Sequence, residues 1–178
     1  MVTMGYLKRF MNSLYDYLKS TVDKLGVITI DQAFIDYRNQ MTWKFRTNGR
    51  TEQEKLMNCD ALILEYSLVQ GALASEAECR EHDFVLKQFN AKIDAKKIEK
   101  WFNISDDKIS WYNRNYKLGE VTHFCFFKFP NKLRPLEVGD TVKIDLLDVV
   151  SVEEVLRNVQ PSNFQGYYYR VKNNFTYN

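Results

Sequence analysis

The stretch that most limits the fold of this chain is residues 121–150, VTHFCFFKFPNKLRPLEVGDTVKIDLLDVV. In its first run His123, Cys125 and Phe127 alternate with Phe124, Phe126 and Lys128, a period of two with apolar groups on both sides. Such a strand is expected to be covered on both faces, because neither set of side chains suits water. Pro135, with no N–H to donate, fits the entrance to a second strand rather than its middle. Gly139-Asp140 supplies a turn or bulge, and Val142, Ile144 and Leu146 recur at alternate positions. The entry Glu137-Val138-Gly139-Asp140-Thr141-Val142 suits a small sheet or barrel.

Ahead of this pair the periodicity is helical. Leu7, Phe10, Met11, Leu14, Tyr17, Leu18, Val22 and Leu25 fall three or four apart, and Gly26 supplies a stop. A short extended segment, 27–30, follows. Asp31 is placed to cap a second helix along Phe34, Tyr37 and Met41. Thr51 with Glu54 fits a capping box at the head of a third, running from about Glu52 to Ala74. Ser75 with Glu78 fits another, after which Phe84, Leu86, Phe89 and Ile93 continue an apolar line that predicts more helix. Ser151 with Glu154 opens a short helix over 152–158, closed off by Pro161. Tyr167 to Lys172 is β-prone and suits a third or edge strand.

The expected class is therefore α+β, an N-terminal helical body followed by a small C-terminal antiparallel β-sheet or barrel. A soft boundary near Gly119 divides residues 1–118 from residues 119–178, either as two units or within one continuous domain. A chain of 178 residues buries roughly 70% of its unfolded surface and needs no staples.

Charge and cysteine usage exclude several classes. A formal charge of +2 gives no global signature of a nucleic-acid coat or a polybasic membrane protein. Three cysteines, an odd set spread along the chain, argue against a secreted disulfide framework. The first twenty residues, broken by Lys8, Arg9 and Asp16, read as neither signal peptide nor membrane span, so an intracellular protein without membrane contact is expected.

Catalytic patterns are weak. His82 lies between Glu81 and Asp83 on a charged segment that suits a solvated face. His123 and Cys125 would stand side by side rather than as base and nucleophile. Asp140, Asp145 and Asp148 have no recognisable acid and base spacing, and Asp140 fits a turn. A protein without catalytic residues or bound cofactor is expected. One constellation resembles a metal site: Cys79 and His82, three apart, and His123 and Cys125, two apart, would form a Cys2His2 zinc set if their elements packed together. Buried cysteine as a small core hydrophobe explains the same residues.

Between 95 and 116, Ile98, Phe102, Ile104, Ile109 and Tyr112 bracket Asn103-Ile104-Ser105. This spacing resembles the helix-turn-helix of DNA-binding domains, with AKKIEKWF as first helix and DDKISWYNRNYK as recognition helix. The resemblance implies Lys108, Ser110, Arg114 and Lys117 as DNA contacts. Glu99 and Asp106-Asp107 depart from that family's pattern, and ordinary apolar spacing of two short helices also accounts for the residues.

Aromatic residues are plentiful, 12 Phe, 11 Tyr and 3 Trp, which favours a surface that is soluble yet adhesive. With an amphipathic first helix, a helical body, a compact β part entered through PLEVGDTVKI and the terminus GYYYRVKNNFTYN, the architecture resembles the adaptor, stopper and ring proteins joining head and tail in tailed bacteriophages. That resemblance implies a structural protein of the virion, assembled in the host cytoplasm. It implies a homo-oligomeric ring contacting other structural proteins around a channel that DNA crosses without specific binding. The aromatic side chains Tyr6, Phe10, Tyr17, Tyr167, Tyr169, Phe175 and Tyr177 are its expected partner contacts. Outside a virion, a cytoplasmic location is expected.

Overall fold

The computed structural model describes residues 4–44, 51–68, 84–98, 100–129, 134–162 and 166–171. The chain is α+β, with helices distributed along it rather than gathered at the N-terminus. In order it forms α1 (Met4–Leu25), β1 (Val27–Thr29), α2 (Gln32–Lys44), α3 (Glu52–Leu68), β2 (Phe84–Leu86) and β3 (Ala91–Lys97). It continues as β4 (Trp101–Ile104), α4 (Asp106–Lys117), β5 (His123–Lys128), β6 (Thr141–Lys143) and β7 (Asp145–Ser151). The last elements are α5 (Val152–Asn158), β8 (Gln160–Pro161) and β9 (Tyr167–Arg170).

The centre is a four-stranded mixed sheet in the order β2-β3-β5-β7, with β3 and β5 parallel and the other pairs antiparallel. It draws β2 and β3 from before Gly119 and β5 and β7 from after it. As the alternation in HFCFFK requires, both faces of β5 are covered. Cys125 and Phe127 join Leu14, Leu18 and Val22 of α1, together with Ile93, Ala95 and Val149. Phe124 and Phe126 join Phe102, Tyr112, Val152, Val155 and Tyr169 on the opposite side. Phe124, Phe126 and Phe127 are wholly buried, at roughly 1.5–3 kcal/mol of favourable transfer each. The pairing of β5 with β7 shifts between Phe126 and Phe127, leaving Leu147 as an extra residue on β7.

The run after Pro135 forms two strands in two sheets rather than one strand. Pro135 and Leu136 lie in the connection. Residues 141–143 pair with β1, and residues 145–151 pair with β5. Gly139, at φ +92, makes the turn before them, where a side chain would be strained. Asp140 is the turn residue expected: its Oδ2 accepts from the Glu137 N–H at 2.9 Å and from Arg134 at 2.8 Å. A small third cluster, Ile30, Leu64, Leu136 and Val142, ties this region to α2 and α3.

Three of the expected helix N-caps form. Asp31 Oδ1 accepts from the Phe34 N–H at 2.9 Å, Thr51 Oγ1 from Glu54 at 3.1 Å and Ser151 Oγ from Glu154 at 3.0 Å. Residues 69–74 and the Ser75/Glu78 box lie outside the described residues.

The helix expected through Phe84, Leu86, Phe89 and Ile93 is instead a hairpin of β2 and β3. A 3-10 turn over Lys87–Phe89 joins the strands, and Asn90 takes the left-handed conformation at φ 48. Leu86, Ala91, Ile93 and Ala95 are buried as strand residues. The helix-turn-helix is overturned for a related reason. Residues 95–97 belong to β3 and residues 101–104 to β4, so the expected first helix is two strands. Pairing with β5 on one side and with β9 on the other satisfies that backbone across the sheets. The second helix exists as α4, started by Ser105, whose Oγ accepts from the Lys108 N–H at 3.3 Å. No described helix is long and apolar enough to cross a membrane.

Candidate binding surface on the three-stranded sheet

The third sheet, in the order β4-β9-β8, turns one face to the core and the other to solvent. Along β4, Phe102 and Ile104 are buried while Trp101 and Asn103 are exposed. Antiparallel pairing sets Trp101 opposite Arg170 and Asn103 opposite Tyr168, so those four residues share the outward face.

These side chains hold one another. Trp101 and Tyr168 meet edge to face with ring centroids 4.9 Å apart, and the Arg170 guanidinium stands over the Trp101 ring at 5.5 Å. Tyr168 donates its hydroxyl proton to Gln160 Oε1 of β8 at 2.9 Å. Trp101 nevertheless keeps 45% of its surface exposed. A large aromatic fixed by its neighbours before any partner arrives loses little conformational entropy on binding. Trp, Tyr and Arg are also the residue types that dominate interface energetics.

Beside β4 runs a groove of about 480 Å³ between the end of β3 and the start of α4. Lys96, Lys97, Trp101, Asn103, Lys108 and Tyr112 are among its lining. At its base Tyr112 donates to Asp94 Oδ2 at 2.5 Å, and Lys96 Nζ lies 3.5 Å from the same oxygen. Lys108 Nζ sits 5.7 Å from the centre of the Trp111 ring.

The expected contact residues separate. Tyr6 is 53% exposed on α1, beside an exposed Leu7, and Tyr17 is 37% exposed. Phe10 is half-buried against Phe89 and His123, at 6.1 and 5.9 Å between ring centroids. Tyr167 and Tyr169 point the wrong way for partner anchors. They lie on the core face of β9 with Tyr169 only 4% exposed, and Tyr168 between them faces out. Strand alternation forces one of the two sets inward, and the demand of the core for Tyr169 decides which. Burial raises the Tyr169 hydroxyl pKa, with Glu154 and Asp148 adding to it, and its Oη has no hydrogen-bond partner among the described residues. Phe175 and Tyr177 lie outside the described residues.

All four expected DNA contacts are exposed on α4. At about 100° per residue, Ser110, Arg114 and Lys117 share its outer face, whereas Lys108 lies on the other side and lines the groove.

Of the zinc set, Cys79 and His82 lie outside the described residues. His123 and Cys125 are both buried on β5. Burial holds the His123 imidazole down at about 4, and its Nδ1 lies 2.7 Å from Thr122 Oγ1. Among the described residues no group of three or more potential ligands converges. Sequence reasoning missed Trp101, Tyr168 and Arg170. The available signal is the alternation in WFNI, but the helix-turn-helix spacing places Trp101-Phe102 at the end of its first helix and Asn103-Ile104 in its turn.

No protein-family model, curated protein or solved structure shows detectable similarity to this chain.

Proposed function

We propose that the chain is a non-enzymatic assembly protein that docks other protein chains through two separate surfaces. The observation that carries this reading is a pair of patches on different elements: exposed Trp101, held by Tyr168 and Arg170, on the three-stranded sheet, and exposed Tyr6 with Leu7 on α1. Two unlike patches on one chain allow head-to-tail contacts, in which one surface of each copy meets a different surface of the next, and such contacts close into rings. In its most specific form the protein is a head-to-tail connector or tail-ring subunit of a tailed phage, acting in the virion. That form is supported by the amphipathic first helix and the paired patches.

Mixing of variants tests it. Tyr6→Asp and Trp101→Asp each remove one patch, so each variant alone should be monomeric in native mass spectrometry. An equimolar mixture should form a heterodimer, because each variant keeps the surface that the other lacks. A wild-type chain that stays monomeric at all concentrations would remove the self-assembly reading, as would oligomers unaffected by both substitutions.

A further inference from the structure

The groove beside β4 has a chemistry that protein docking on the sheet face does not use. Its described lining carries no carboxylate and three lysines; Lys96 and Lys108 offer it their ammonium groups, whereas Lys97 turns its own to the Phe129 ring, 4.6 Å away. The nearest buried acid, Asp94, is already engaged by Tyr112 and Lys96. Trp101 forms one wall, with Arg170 over its ring, and Asn103 and Ser105 add neutral polar groups. Lys108 is also placed against its local interest. It occupies the third position of α4, in the first turn, where the helix dipole disfavours a cation and where glutamate would complete a capping box with Ser105.

We propose that this groove binds a single-stranded polynucleotide, with Lys96 and Lys108 on the phosphates and Trp101 as a stacking platform for a base. Cations beside an exposed aromatic are the combination used for single strands, since every base offers a flat face while the phosphates supply the charge. A duplex, whose bases are already stacked, has no use for the Trp101 ring. The site is distinct from the outer face of α4, where Ser110, Arg114 and Lys117 lie.

The test is fluorescence anisotropy of the full chain with a labelled oligo-thymidine strand of about 20 nucleotides, long enough to fill such a site. Two phosphate contacts at about 0.7 each predict a slope of roughly −1.4 in log affinity against log salt. Lys108→Glu should weaken binding about tenfold and flatten that slope. It does so without endangering the fold, because glutamate suits that helix position better than lysine. Trp101→Ala should weaken binding of the thymidine strand by roughly tenfold, yet leave binding of an abasic strand with the same phosphates unchanged. Ser110→Glu, which adds the same kind of charge on the outer face of α4, should have no effect.

Absence of binding at about 50 mM salt, where phosphate contacts are strongest, overturns the proposal. So does equal weakening by Ser110→Glu and Lys108→Glu, which would reveal a response to net charge alone. Displacement of the strand by poly-glutamate at matched charge would assign the groove to an acidic peptide instead. Tyr6→Asp removes the neighbouring copy that covers Trp101 in a head-to-tail assembly, so it should abolish the larger oligomers and strengthen strand binding; a monomeric wild type that binds the strand would overturn assembly alone, so the two readings fail separately.

Discussion

Arg38 and Asp60 grip the backbone of Leu136 between them. Arg38 Nη1 donates to the Leu136 carbonyl at 2.7 Å, Asp60 Oδ2 accepts from the Leu136 N–H at 2.9 Å, and the two side chains pair at 3.2 Å. Both are almost fully buried. Through this one contact α2, α3 and the connection leading into β6 are held in register. Burial pushes the Asp60 carboxyl up even though the Leu136 N–H and Arg38 oppose it, so the net contribution of the intact pair is small while the loss of one member is costly.

Arg38→Leu and Asp60→Leu are each expected to destabilise the chain by about 3–5 kcal/mol, since each strands a buried charge and one Leu136 backbone group. The double variant should lose less than the sum of the two, leaving a favourable coupling in a double-mutant cycle measured by urea denaturation. Additive losses would show that the pair acts as two separate groups.

His123 makes folding acid-sensitive. Burial lowers its pKa from the usual 6.5 to about 4, so the unfolded chain takes up a proton that the folded chain refuses. The stability that its neutral form confers is complete above pH 6.5. It is lost progressively as pH falls towards 4, by at most about 3 kcal/mol. Chemical denaturation of wild type and His123→Leu between pH 7 and 4 should show curves of different slope in that window. Parallel curves would place the acid sensitivity elsewhere.

Much of this was legible in the sequence where one reading of the residues was sterically possible. HFCFFK cannot leave either face in water, and Asp31, Thr51 and Ser151 announce helix starts through a single side-chain oxygen each. The β2-β3 hairpin was not legible, because Phe84, Leu86, Phe89 and Ile93 fit a helical face as well as they fit two strand faces separated by a turn. The conformation of Asn90 decides between these, and asparagine marks many other contexts. The three consecutive tyrosines of β9 carry no local signal of which points inward; only pairing of Phe102 with Tyr169 and Asn103 with Tyr168 assigns them. Trp101 and Arg170, 69 positions apart by their numbering, meet for the same non-local reason.

Glu65 has the opposite pH signature to His123. Burial, with help from Asp94 and against Lys96, raises its carboxyl from 4.5 to about 7. The folded state therefore favours the protonated form, and the associated stability is complete below pH 4.5 and lost as pH rises through 7. Glu65→Gln keeps the shape without the charge, so it should match wild type near pH 4 and exceed it in stability at pH 8. A variant equal to wild type at both values would mean that the Glu65 carboxylate is solvated well enough to ionise normally.

The sheet that presents Trp101 depends on the absence of a side chain at Gly166. This residue directly precedes β9 at φ +150, and a Cβ there would stand 2.9 Å from the carbonyl oxygen of Ile104, the last residue of β4. Backbone cannot yield as a flexible side chain would, so Gly166→Ala must push β9 away from β4 and separate Tyr168 from Trp101. Gly139 offers the comparison. Its φ is +92, but an added Cβ meets no atom within 4 Å, so Gly139→Ala carries only the backbone strain, about 1 kcal/mol. Gly166→Ala should cost more than that in urea denaturation and should also weaken whatever partner or strand engages Trp101, while Gly139→Ala leaves binding unchanged. Equal losses of stability in the two variants, with binding intact in both, would mean that β4 and β9 separate without cost and that the outward face is not held by their pairing.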